Sequence, residues 1–139
     1  MKPIIVEVSP TQQGPVGPMA RVLLVDEDAN DLRSFSSFLE QEGYDVRACA
    51  RYGDALGWLE CEIFDCVILS QGSPKFEGRS VLERAIEINR CLPVLVVARC
   101  ADIGCYIEAV QLGALDYLEK PLPPPQLLRF VKDHLRARA

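Results

Sequence analysis

Val22-Leu23-Leu24-Val25-Asp26-Glu27-Asp28 joins four apolar residues to three consecutive carboxylates. The apolar run has the length and branching of a strand buried on both faces, and the acids begin where that burial must stop. Leu32, Phe35, Phe38 and Leu39 then recur at helical spacing, and Gly43 stops that helix. The same alternation repeats outward. Val46 to Cys49 reads as a second, weaker strand, and Ala55, Leu56 and Leu59 mark a second helix. Cys66-Val67-Ile68-Leu69 is uniformly apolar and therefore central. Val81, Leu82, Ala85 and Ile86 mark a third helix, and Val94 to Val97 a fourth strand. Asp102 can cap a fourth helix carried by Ile103, Ile107 and Val110 and stopped by Gly113. Leu115 to Leu118 reads as a short fifth strand. Pro123 to Pro125, which need no N–H partners, lead into a last helix with Leu127, Leu128, Val131 and Leu135. Strands alternating with helices imply a parallel α/β sheet covered on both faces, with right-handed crossovers. The functional groups of such a sheet lie just beyond the carboxyl ends of its strands.

Composition sets the outer limits. The chain has 139 residues, the size of one domain, and its 49% hydrophobic content is too high for a disordered chain. Its longest apolar run, Leu92 to Ala98, falls far short of the roughly 20 residues a membrane span needs. A formal charge of −5 argues against direct nucleic-acid binding, because phosphates are repelled at long range. The six cysteines (Cys49, Cys61, Cys66, Cys91, Cys100, Cys105) show no C-x-x-C spacing, and the only histidine, His134, is remote. No signal peptide is legible, since the apolar stretch at 4–8 is short and broken by Glu7. The expectation is a cytoplasmic protein with reduced thiols serving as small core residues. Pro3, Pro10, Gly14, Pro15, Gly17 and Pro18 mark 1–18 as an extended leader, in which 4–8 could add an edge strand. Residues 19–139 form the domain, and the helical pattern at its end would suit a run into a linker and an output domain.

The strand ends carry the chemistry: Asp26-Glu27-Asp28 after the first, Ser70 after the third, Ala98-Arg99 after the fourth, and Glu119-Lys120-Pro121 after the fifth. Adjacent carboxylates at a buried strand end repel unless a cation compensates, and Mg²⁺ or Lys120 could supply the charge. Alternatively the acids are a polar turn capping the first helix.

Taken in order, Val25-Asp26-Glu27-Asp28, Val67-Ile68-Leu69-Ser70 with Pro74 beyond it, Pro93-Val94-Leu95-Val96-Val97, and Gly113 to Pro121 form one pattern. It resembles the receiver domain of two-component response regulators over residues 20–137, with Gly78 and Lys120-Pro121 also in place. The resemblance implies a flavodoxin-like (βα)5 three-layer sandwich, strand order 2-1-3-4-5, with Pro121 as a cis-proline. It assigns metal binding to Asp26, Glu27 and the Gly72 carbonyl, charge compensation to Lys120, and the aromatic switch to Tyr117. It also exposes two losses. The phosphoacceptor aspartate falls on Ser70, and the hydroxyl residue that grips the phosphoryl group falls on Ala98. The pattern is therefore that of a degenerate, pseudo-receiver type.

A serine hydroxyl is a poor nucleophile without a base to activate it, and no histidine lies nearby. With Asp26, Glu27 and Lys120 counted, the pocket carries about −1, against about −2 with an aspartate at position 70, so only a weak Mg²⁺ site and no required cofactor is expected. Lys120 should pair with Asp26 or Glu27 and donate to Ser70. Asp65 stands at the wrong end of the third strand, some 16 Å away at about 3.3 Å per residue; Glu77 is nearer but does not match the acceptor position. Because Ala98 is small, Tyr117 is expected to pack inward permanently; the alternative is a half-exposed strand aromatic without a switching role.

The function expected is non-enzymatic: a phosphorylation-independent signalling module. It would act through the face made by the fourth helix, fifth strand and fifth helix, including Glu108, Gln111, Asp116, Glu119, Arg129 and Lys132. The expected partners are a protein or a fused output domain, with a homodimer through the same face, and neither nucleic acid nor membrane. The alternative is a phosphorelay acceptor using Ser70 or a nearby carboxylate. A flavin-binding reading fares worse, because the acidic loop after the first strand would repel a phosphate and no G-x-G-x-x-G is present.

Overall fold

The computed structural model describes residues 20–138. Five strands alternate with five helices: β1 (Arg21–Val25), α1 (Ala29–Gln41), β2 (Asp45–Cys49), α2 (Tyr52–Cys61), β3 (Cys66–Ser70), α3 (Arg79–Ile88), β4 (Val94–Ala98), α4 (Ile103–Leu112), β5 (Asp116–Glu119) and α5 (Pro124–Arg138). The strands form one parallel sheet in the order β2-β1-β3-β4-β5. This is the flavodoxin-like sandwich with strand order 2-1-3-4-5.

Alternation along each strand builds two cores. Val22 and Leu24 of β1 join Phe35 and Leu39 of α1 and Leu127, Phe130 and Val131 of α5 on one face. Leu23 and Val25 join Ala55 and Leu59 of α2, Val81 and Leu82 of α3, and Cys105 and Ala109 of α4 on the other. Every residue of β3 and β4 is buried, which accounts for their unbroken apolar sequence. Each fully buried leucine contributes roughly 1.5–3 kcal/mol of transfer free energy, enough to hold the strand ends in place.

Three expectations need correction. The fourth helix does not face the sheet with Ile103, Ile107 and Val110, which are exposed. Cys105 and Ala109 face inward instead. Both rows have helical spacing, and the row of small side chains allows the closer approach to the sheet. The fifth strand starts at Asp116 rather than Leu115, whose side chain is exposed. Only Cys49, Cys66 and Cys105 are core residues; Cys61, Cys91 and Cys100 are exposed at a helix end, a turn and a loop. The expected leader at 1–18 and its edge strand lie outside the described residues. No helix among those described is long and apolar enough to cross a membrane.

Candidate functional site

At the carboxyl edge of the sheet, a cleft of about 260 Å³ is lined by Glu27, Ser70, Gly72, Ser73, Arg99 and Lys120. Asp26 leaves β1 directly into this region. It is 3% exposed, and its backbone N–H donates to Cys49 O at 3.0 Å. Asp28 turns the other way and caps α1, accepting from the N–H groups of Asn30 and Asp31 at 2.9 and 3.0 Å. The acidic triplet therefore divides its labour: Asp28 caps the helix, while Asp26 and Glu27 serve the site.

That cap places Asp31 in the first turn of α1, where it reaches Lys120. The Lys120 ammonium lies 2.8 Å from Asp26 Oδ2 and 2.7 Å from Asp31 Oδ2. Its backbone N–H donates to Ala98 O at 2.8 Å, and the Lys120-Pro121 peptide is cis. Burial works to lower the Lys120 pKa, but hydrogen bonds to Asp26 and Asp31 outweigh it and hold the group above its usual value. Burial raises Asp26 above the usual carboxylate range, against the hydrogen bonds from Lys120 and the Asp28 N–H.

Two details of the sequence reading change here. Of the two expected partners Lys120 pairs with Asp26 and not Glu27, Asp31 is added, and the Ser70 hydroxyl bonds to Glu27 and the Gly72 N–H rather than to Lys120. With Asp31 added to Asp26, Glu27 and Lys120, the formal charge around the ammonium is −2 rather than −1. Asp31 was not legible as a site residue, because its distance from Lys120 in the chain gives no hint that a helix cap would aim it there.

Ser70 ends β3, and its hydroxyl donates to Glu27 Oε1 at 2.6 Å. Tyr52, the first residue of α2, donates at 3.2 Å to the same oxygen and lies 3.1 Å from Ser70 O. The loop beyond β3 is tightly built. A Cβ on Gly78 would stand 2.4 Å from Ser70 O, and one on Gly72, whose φ is +86°, would stand 2.5 Å from Glu77 Oε1. Glu77 folds back onto Ser73, accepting from its N–H at 2.7 Å and its hydroxyl at 2.9 Å. Arg99 reaches across from β4 to Asp28 Oδ2 at 3.1 Å.

These donors do not fit a tight Mg²⁺ site. Asp26 is engaged by Lys120 and by the Asp28 N–H at 2.9 Å, and Glu27 Oε1 accepts from both Ser70 and Tyr52. Gly72 O accepts a long contact from Gln71 Nε2 at 3.5 Å. Among the described residues no group of three or more acidic, histidine or cysteine side chains could hold a metal. Ala98 is fully buried at the end of β4 and offers a methyl where a hydroxyl would be needed to grip a phosphoryl group.

Tyr117 lies against the core on the α4 side of the sheet. Its hydroxyl donates to Gln71 Oε1 and accepts from the Asp102 N–H at 3.1 Å.

The sequence model of the response regulator receiver domain matches residues 22–132. The chain belongs to the response regulator receiver family. The domain is 31% identical over 117 residues to the phosphoglycerate transport system transcriptional regulatory protein PgtA of Salmonella typhimurium, covering 84% of this chain and 28% of that protein. It is 32% identical over 118 residues to the alginate biosynthesis transcriptional regulatory protein AlgB of Pseudomonas aeruginosa, covering 85% of this chain and 26% of that one. The receiver therefore spans about a quarter of the length of these curated relatives. Among solved structures, a CheY-like response regulator receiver domain protein from Methanospirillum hungatei superposes with a TM-score of 0.81 at 31% identity, covering 86% of this chain and 96% of that one. The protein is thus a receiver domain of two-component signalling.

Proposed function

We propose that this receiver works without phosphorylation, as an interaction module that presents a fixed face to a protein partner or a fused output domain. The observation that carries this reading is the state of position 70. A serine stands there, with its hydroxyl committed to Glu27, while Lys120 already has two carboxylates. An acceptor site needs a carboxylate nucleophile and a cation to neutralise the crowded phosphoryl oxygens. Neither requirement is met by these residues, and no cofactor or catalytic residue enters the reading.

The outward face of α4, β5 and α5 supports the interaction half of the proposal. Ile103, Tyr106, Ile107, Val110 and Leu115 are all exposed large apolar side chains. Gln111, Asp116, Glu119, Arg129 and Lys132 on the same three elements are also exposed, whereas Glu108 is partly exposed and pairs with Arg79 of α3. Exposed apolar side chains accompanied by charges of both signs suit a specific protein contact, including a second copy of this domain. PgtA and AlgB are named transcriptional regulatory proteins, which favours a fused transcriptional output. The net acidic charge disfavours direct nucleic-acid contact by the domain itself.

A second reading has one observation in its favour. Ser70 Oγ lies 2.6 Å from Glu27 Oε1, and Tyr52 orients that carboxylate, a nucleophile–base–orienter chain that could make Ser70 an acceptor. Incubation of the full chain with acetyl phosphate and Mg²⁺, followed by intact mass, separates the two. We expect no phosphoryl adduct. An acid-stable adduct would overturn the proposal in favour of Ser70, and a labile one in favour of a carboxylate.

A further inference from the structure

Gln71 is the buried polar residue that the cleft does not account for. It is 1% exposed and follows Ser70, yet it does not line the cleft. Its Nε2 faces the carbonyls of Ser73 at 3.3 Å and of Gly72 and Cys100 at 3.5 Å, and its Oε1 accepts from the Tyr117 hydroxyl. A buried amide with both ends engaged is costly to disturb, because any partner withdrawn leaves a polar group without water or protein.

The contacts lead from β3 to the outer face. The Tyr117 hydroxyl also accepts from the Asp102 N–H at 3.1 Å, and Asp102 caps α4 by accepting from the Cys105 N–H at 3.0 Å. The Tyr117 ring meets the Tyr106 ring edge-on, with centroids 5.5 Å apart and planes at 70°. Tyr106 stands in the exposed apolar row with Ile103, Ile107 and Val110. On β4, Val96 is the register partner of Tyr117, and Ala98 lies two residues along on the same side of the strand.

We infer that Gln71 is a positioning residue that holds Tyr117, and through it the start of α4 and its outward apolar row, in a single arrangement. This inference rests on the phosphorylation-independent reading and names what sets the face in the absence of a phosphoryl signal. The latch is a neutral hydrogen-bond chain, so it requires neither metal nor modification. Tyr117 swings outward only if its bonds to Gln71 and Asp102 both break and the Gln71 carbonyl is left unpaired.

The test is amide hydrogen exchange followed by NMR on the full chain. Gln71→Met fills similar volume without the acceptor, and Tyr117→Phe keeps the ring without the hydroxyl. Each should speed exchange at Asp102 by about tenfold, the loss expected for one net hydrogen bond, while the amides of Val67 and Ile68 in β3 stay protected. Gln71→Met should also shift the ring signals of Tyr106. In the Tyr117→Phe background, Gln71→Met should change Asp102 by less than about twofold, since the amide acts through the hydroxyl. Unchanged exchange at Asp102 in either single variant overturns the inference, as does an equal effect of Gln71→Met in both backgrounds. If Gln71→Met fails to fold, Gln71→Leu, which is smaller and also lacks the acceptor, takes its place under the same criteria. An acetyl phosphate adduct on the wild-type chain would sink the phosphorylation-independent reading instead and leave the exchange result standing.

Discussion

The Asp31 carboxylate approaches the Lys120 ammonium to 2.7 Å from the first turn of α1, on the same ammonium that Asp26 holds at 2.8 Å. The lysine that would otherwise face an acceptor aspartate is thereby neutralised by a helix residue. Removing one partner of this trio should have unequal costs. Asp31 is 37% exposed at its side chain, so Asp31→Asn should cost about 0.5–1 kcal/mol. Lys120→Met leaves the buried Asp26 carboxylate without its cation and should cost about 3 kcal/mol. Urea denaturation of both variants checks the order; equal costs would refute the assignment.

The pH dependence follows from two groups. Burial raises the folded-state pKa of Asp26, so the unfolded chain ionises first as pH rises above 3.8. Wild type should therefore lose stability relative to Asp26→Asn as pH climbs from 3.8 through that raised value, and then level off. Lys120 behaves in the opposite sense: its contribution is fully present below 10.5 and is lost as pH rises through its raised folded value. The penalty of Lys120→Met should accordingly shrink on the alkaline side. Chemical denaturation across both windows measures these slopes, and a wild type that gains stability relative to Asp26→Asn as pH rises above 3.8 would contradict the first.

Ser70→Asp should place a new carboxylate beside Glu27, which Ser70 now approaches at 2.6 Å. Like charges at that separation oppose ionisation, so this variant should melt lower than wild type in chelator and recover on addition of Mg²⁺. It should also acquire a labile adduct from acetyl phosphate. A variant that gains no Mg²⁺-dependent stability would show that position 70 alone does not determine the loss of the site.

The two rows of α4 should respond differently to substitution. Ile107→Ser alters an exposed side chain and should change stability by less than about 0.5 kcal/mol. Ala109→Leu forces bulk into a fully buried position and should cost about 1–3 kcal/mol. Paired denaturation curves test this. A larger loss for Ile107→Ser than for Ala109→Leu would mean that the helix faces the other way.

Thiol labelling should divide the cysteines evenly. Cys61, Cys91 and Cys100 are exposed and should react in the native state, whereas Cys49, Cys66 and Cys105 should wait for denaturant. Burial also pushes the thiols of Cys49 and Cys105 up to about 11, which suppresses the reactive thiolate. Peptide mass mapping after a brief alkylation reads this directly.

What could be read from the residues was whatever depends on local pattern. Continuous runs such as Cys66 to Leu69 marked buried strands, and the acids after Val25 and the lysine after Glu119 marked the edge of the sheet where chemistry could sit. What could not be read depends on which of two equivalent patterns the packing selects. In α4, Ile103, Ile107 and Val110 carry more apolar bulk than Cys105 and Ala109, and bulk alone predicts the wrong face. The sheet accepted the smaller row because it lets the helix approach closely. Gln71 and Asp31 were missed for a related reason. One reads as the start of a loop and the other as an ordinary first-turn acid, until the register of β3, β4 and β5 and the cap on α1 bring their partners to them. Gln71 did leave a signal: a long amide between a fully apolar strand and Gly72 has to find several partners inside the protein.

The outward turn of α4 has a consequence for how the domain can vary. Ile103, Ile107 and Val110 leave much of their hydrophobic surface outside the folded core. A library of variants selected only for a folded chain would let these positions drift toward polar residues, while one selected for signalling would hold them. On the proposed reading of this face as an interaction surface, the difference between the two sets of survivors would trace a partner's footprint on the helix.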